Sequence, residues 1–237
     1  MIHVADILPS GWLDAFSPDH RQIGSGLDPA TTTKAKSNPS AIVVTQRVNL
    51  MHFARLVLRF KTDDPDVTTF LLLAIVNGLR SRGLSVRRLC ILATNERFFA
   101  VSVRKKMVGK CPVELVIESE KTTYLGEEML MKAYLGNLFV NTIDDGYLAL
   151  PPEEFVKTDL RLVVRDRGTF DCDLGEDGGH GDIFAAAGAA IHGITAKGGP
   201  PEAHAAQVGT FGAKPANTRK LHPLSKPYGR KPTRRLT

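Results

Sequence analysis

Asp28 closes the run Ile23-Gly24-Ser25-Gly26-Leu27 and is followed at once by Pro29 and Ala30. A carboxylate set among small residues on a strand can be approached closely by a metal ion and a phosphate. Pro29 then removes an amide that would need a partner and leads the chain out of a sheet. The same dipeptide is also a common way to begin a turn. Asp182 ends a stretch of glycines and acids that starts at Asp173, and it precedes Ala186, Ala187 and Gly188, small residues that let a helix press against a sheet. As a helix N-cap it would contribute about 1 kcal/mol. Together, two such carboxylates suit magnesium-type hydrolysis, because Mg²⁺ takes oxygen ligands and usually uses one or two carboxylates plus phosphate oxygens. Two such ions about 3.5–4 Å apart can activate the attacking water and stabilise the leaving oxygen. A third acid normally completes the arrangement, and Glu96, Asp171 and Asp173 are the candidates. His180 is either a metal or phosphate contact or a solvated loop histidine. The glycine-rich loop lacks the twelve-residue spacing and terminal Glu of a calcium loop.

These acids act together only if the intervening chain brings them together. Three stretches rich in β-branched and apolar residues, 22–27, 41–48 and 53–61, predict a meander. Asp64 and Pro65 then supply an N-cap and a first-turn proline. Val67, Phe70, Leu71, Ala74, Ile75, Gly78 and Leu79 recur at helical spacing until Gly83, which predicts a helix over 65–82. A buried strand at 86–92, a helix at 95–107 with Thr94 as N-cap, and a strand at 113–117 follow. The spacing predicts a long helix over 124–143, a short apolar piece at 147–150, and a helix with an extended segment within 152–164. A strand at 168–174 and a closing helix over 183–194 complete the pattern. Three antiparallel strands, then parallel strands reached through crossover helices, make an α/β mixed sheet with helices on both faces. That is the layout of the ribonuclease H-like fold, which nucleases, transposases and ATPases share, so function has to come from the site.

Composition bounds the remaining possibilities. The 237 residues, 43% of them apolar, suffice for one domain with a sizeable core plus additional sequence. No apolar run approaches the roughly 20 residues needed to cross a bilayer, and residues 1–10 lack a secretory layout, which predicts a cytoplasmic protein. Cys90, Cys111 and Cys172 are an odd number without a C-x-x-C pair, so neither a disulfide framework nor a thiolate zinc site is supported. The net charge of +6 is unevenly placed: residues 197–237 carry nine Lys/Arg against Glu202 alone, a surplus of eight that leaves residues 1–196 at −2. The expected organisation is an arm or linker at 1–21, one domain over 22–196, and a basic, disordered tail over 197–237. That tail is either a phosphate tether or a solvated terminus.

The sequence resembles the C-terminal nuclease domain of tailed-phage terminase large subunits, particularly the branch found in Mu-like phages and prophages. The resemblance rests on Gly26-Leu27-Asp28-Pro29-Ala30 with Ser37-Asn38-Pro39-Ser40, on the segment from Arg88 to Ala100, and on Lys132-Ala133-Tyr134-Leu135-Gly136-Asn137. Leu148-Ala149-Leu150-Pro151-Pro152-Glu153, Arg161-Leu162-Val163, Asp166-Arg167-Gly168 and His180-Gly181-Asp182 complete it, from about residue 21 to 193. It implies a Mg²⁺- or Mn²⁺-dependent endonuclease with a two-metal site, cutting double-stranded viral DNA during genome packaging in the bacterial cytoplasm, with a packaging ATPase or other terminase or portal subunits as partners. On that analogy Asp28 and Asp182 are catalytic metal ligands, and Lys34, Lys36, Arg165, Arg167 and His180 contact DNA. Relatives place an acid at the end of the fourth strand, where this chain has Leu92. Either Glu96 supplies the missing ligand, or the domain is a catalytically impaired DNA-binding or packaging-assembly module. No G-x-x-x-x-G-K-[ST] loop occurs, so this chain is not expected to bind ATP.

Overall fold

The computed structural model describes residues 7–31, 38–166, 168–173, 175 and 180–196. Lys34, Lys36, Arg167 and the basic tail 197–237 lie outside the described residues. The meander is present as β1 (Gln22–Asp28), β2 (Ser40–Val48) and β3 (Met51–Phe60), with antiparallel pairs throughout. The chain then forms α1 (Pro65–Ser81), where the Asp64 carboxylate accepts the Asp66 amide at 2.7 Å and Pro65 occupies the first turn. β4 (Val86–Leu92) returns parallel to β1, and β5 (Val113–Val116) lies parallel to β4 after α2 (Arg97–Met107). With β8 (Leu148–Ala149) parallel to β3, the sheet order is β5-β4-β1-β2-β3-β8. This is the ribonuclease H-like mixed sheet that the order of elements predicts.

Alternation along the strands sends side chains to two apolar layers. Ile23, Leu27, Leu89, Ile91 and Val113 pack against α1 and α2 on one face. Ala41, Val43, Cys90, Leu92 and Val116 face the other, which is covered by α3 (Met131–Asp144) and α5 (Asp182–Thr195). The smaller elements are α4 (Glu154–Arg161) and two hairpins, β6 (Lys121–Tyr124) with β7 (Glu127–Leu130) and β9 (Val163–Asp166) with β10 (Thr169–Cys172).

Two expectations require correction. The long helix over 124–143 is a hairpin followed by α3. Leu125 and Gly126 adopt φ of 52° and 89°, which closes a two-residue turn that no helix can contain. Thr94 does not cap α2; Glu96 stands at that position, while the Thr94 hydroxyl accepts the Glu118 amide at 2.9 Å. The described part of the N-terminal arm packs against the sheet domain. Ile7, Leu8, Trp12 and Leu13 pack on the α1 side of the core, Phe16 is buried, and the Arg82 guanidinium pairs with Asp14. No helix among the described residues is long and apolar enough to cross a membrane.

Candidate active site

The position of Asp28 follows from strand alternation. Gly24, Gly26 and Asp28 share the face of β1 toward α5, opposite to Ile23 and Leu27. A Cβ added at Gly24 would lie 2.1 Å from the Ala190 carbonyl oxygen, and one at Gly26 would lie 1.9 Å from that of Ala186. The small residues before Asp28 therefore admit the backbone of α5 itself. Beyond Asp28, the Ser40 hydroxyl accepts the Ala30 amide at 3.0 Å, which fixes the chain as it leaves the sheet.

Asp182 is the first residue of α5. Its predecessor Gly181 has φ 74°, and a side chain there would meet the Cys172 sulfur at 2.4 Å, so both backbone and space demand glycine. Asp182 does not cap the helix. That role belongs to Asp159 on α4, whose Oδ2 accepts the amides of Ile183 at 2.9 Å and Phe184 at 3.3 Å. Asp159 is 1% exposed. The sequence carried a signal for it, since Val156, Asp159 and Leu160 fall on one helical face with two apolar neighbours. An acid on that stripe has to find buried donors, and a helix N-terminus offers them.

Asp28, Asp182, Glu96, Glu118 and Asp171 line one cavity of about 460 Å³, together with Lys132, His180, Asn38 and Asn95. Burial, then the charge of Asp182, then those of Glu118, Asp159 and Glu96, hold the Asp28 carboxyl well above the usual carboxylate range. Burial and the adjacent Asp159 push Asp182 up to about 6. Asp182 is 5% exposed, and its Oδ2 is buried without a hydrogen-bond partner among the described residues. Crowded, desolvated carboxylates with a spare buried oxygen are hard donors that a divalent cation would satisfy, so the residues present fit Mg²⁺ or Mn²⁺.

The other expected residues divide. Glu96 lines the cavity but makes no side-chain cap bond. Asp171 lines it and faces Lys132 Nζ at 3.7 Å, whereas exposed Asp173 is not among its lining residues. His180 is exposed on its wall. Arg165 stands outside, exposed, 5.7 Å from the centre of the Phe170 ring that lines the cavity. Leu92 is 4% exposed within the apolar layer. Lys132 and Glu118 join the site without having been singled out as site residues in the sequence.

A second group, Cys90, Glu114 and His192, brings donor atoms within 4.8 Å of one another. Its donors are largely engaged already. Arg88 pairs with Glu114 Oε2 at 2.7 Å, His192 Nε2 meets Glu114 Oε1 at 3.1 Å, and Tyr134 Oη meets His192 Nδ1 at 3.0 Å. Burial pushes the Cys90 thiol up, away from the thiolate a metal requires. We read this group as a brace between α5, α3, β4 and β5.

No family model and no curated protein matches the sequence. Among solved structures, the chain is similar to a mutant nuclease domain of the large terminase subunit of bacterial virus Sf6, solved with manganese and beta-thujaplicinol. The identity is 12%, over 76% of this chain and 96% of that one, with a TM-score of 0.53. It is also similar to the large terminase nuclease from thermophilic phage G20c with bound magnesium, at 13% identity over 76% of this chain and 94% of that one, with a TM-score of 0.51. At these identities the likeness is one of fold, and it agrees with the ribonuclease H-like sheet order.

Proposed function

We propose that this protein is a Mg²⁺- or Mn²⁺-dependent endonuclease acting on double-stranded DNA, of the kind that cuts viral genomes during packaging. The observation that carries the reading is the convergence of Asp28, from β1, and Asp182, from α5, on one acidic cavity, with Asp182 Oδ2 buried and without a partner among the described residues. The likeness in fold to terminase nuclease domains supports it. Asp28 and Asp182 would hold the metal, with a further acid from the cavity wall, for which Glu96 is the sequence candidate. A divalent ion held by these carboxylates would supply the Lewis acidity that phosphodiester hydrolysis requires. Lys132 and His180, on the cavity wall, would meet phosphate oxygens, and Arg165 the backbone farther out. Lys34, Lys36 and Arg167 are assigned to DNA by resemblance alone. A packaging ATPase or other terminase and portal subunits would supply the motor.

Supercoiled plasmid incubated with the protein and Mn²⁺ tests the proposal. Cleavage is expected from the wild type and not from Asp28→Asn or Asp182→Asn. Cleavage that survives both substitutions would remove the assignment. The buried leucine at position 92 favours a second reading, a packaging module that holds DNA without cutting it. Absence of cleavage by the wild type, with DNA retained in a gel-shift assay, would select that reading.

A further inference from the structure

The end of β4 offers no ligand, because Leu92 is packed in the apolar layer beneath α5. The turn after the neighbouring strand does. Leu92 is paired with Val116, and both belong to the layer that faces α5. Ile117 packs into the opposite layer. Glu118 follows in the turn two residues beyond Val116, and it lines the cavity that Asp28 lines. Its backbone is held from two sides: the amide donates to the Thr94 hydroxyl at 2.9 Å, and the carbonyl accepts the Lys132 amide at 3.0 Å.

From this arrangement the geometry points to Glu118, in the turn after β5, as the third metal-binding carboxylate, replacing from beyond the adjacent strand the acid that position 92 lacks. The inference rests on the metal-dependent nuclease reading above. It does not rest on acidity alone, since Asp182, whose Oδ2 is a buried acceptor without a partner among the described residues, lines the same cavity. Glu96 also lines that cavity, but from the turn before α2.

Mn²⁺ alone is the probe, titrated into the full-length protein and followed by calorimetry and by loss of the free-ion electron paramagnetic resonance signal. Replacing groups that merely orient a ligand costs about 10–100-fold in metal affinity, so loss of a direct ligand should cost at least about tenfold. Glu118→Gln is expected to weaken Mn²⁺ binding by that amount or more, and Glu96→Gln by less than about threefold on the same scale. Glu118→Ala, checked by circular dichroism for a wild-type melting profile, should reproduce the loss. Wild-type affinity in both Glu118 variants, or a tenfold loss in Glu96→Gln instead, would overturn the assignment. Failure of the underlying reading looks different: Asp28→Asn and Asp182→Asn would then bind Mn²⁺ as the wild type does.

Discussion

Asp182 is a carboxylate that the fold makes reluctant to ionise, and this has a consequence for stability. Burial and Asp159 raise it from 3.8 to about 6, a difference of about 3 kcal/mol between its protonation states. Below 3.8 the folded and unfolded chains both hold the proton and nothing is lost. Between 3.8 and about 6 the unfolded chain releases it while the folded chain keeps it, so stability falls as pH rises; above about 6 the loss is complete. Asp28, raised by burial and by its acidic neighbours, acts in the same direction. Without metal, thermal denaturation across about pH 4 to 8 should show a decline for the wild type that is smaller in Asp182→Asn. Mn²⁺ should stabilise the wild type more at neutral than at acid pH, because it binds the ionised form. Superimposable wild-type and variant profiles would mean that Asp182 is not electrostatically crowded.

At the scale of elements, the site depends on how α5 meets the sheet. Gly26→Ala would drive a methyl group into the Ala186 carbonyl, and backbone cannot yield as a flexible side chain does. The expected cost in chemical denaturation is about 3 kcal/mol or more, at the upper end of overpacking. Mn²⁺ binding should weaken in parallel, since α5 carries Asp182. Asp159 anchors the same helix end. Asp159→Ala leaves the Ile183 and Phe184 amides unsatisfied and should cost about 1–3 kcal/mol. Asp159→Asn keeps an acceptor oxygen but removes a charge beside Asp182, so it should lose less stability and move the pH-dependent decline to lower pH. Equal losses in the two variants would show that charge, not capping, is what Asp159 contributes.

For the whole molecule, the division of charge separates two tasks. The acidic cavity repels phosphate unless cations intervene, while the surplus of eight positive charges resides in residues 197–237. Removing that tail should leave Mn²⁺ affinity and melting behaviour unchanged, because the described residues of both apolar layers all precede it. DNA binding should weaken and become less sensitive to salt. The log–log slope falls by about 0.9 for every phosphate that is no longer neutralised, so nine cations set an upper limit of about 8. Fluorescence anisotropy with duplex DNA over a series of salt concentrations measures this, and an unchanged slope would make the tail a bystander.

The sequence by itself determined the order of the main-sheet strands and the helices between them outside residues 121–130, because alternation along the strands and the Asp64-Pro65 helix start are local signals. It also marked Asp28 and Asp182, whose small neighbours announce close approach. It mistook 124–143 for one helix, because apolar spacing there does not reveal that Leu125 and Gly126 turn left-handed. Glu118 and the partner of Asp159 were hidden for a different reason. Alternation and helical spacing say which residues share a face, but not what that face meets. Only the assembled sheet shows that the turn after β5, which bears Glu118, borders the cavity beside Asp28, and only the docking of α4 shows which helix end Asp159 must satisfy. Those relations join residues far apart in the chain, and tertiary packing alone decides them.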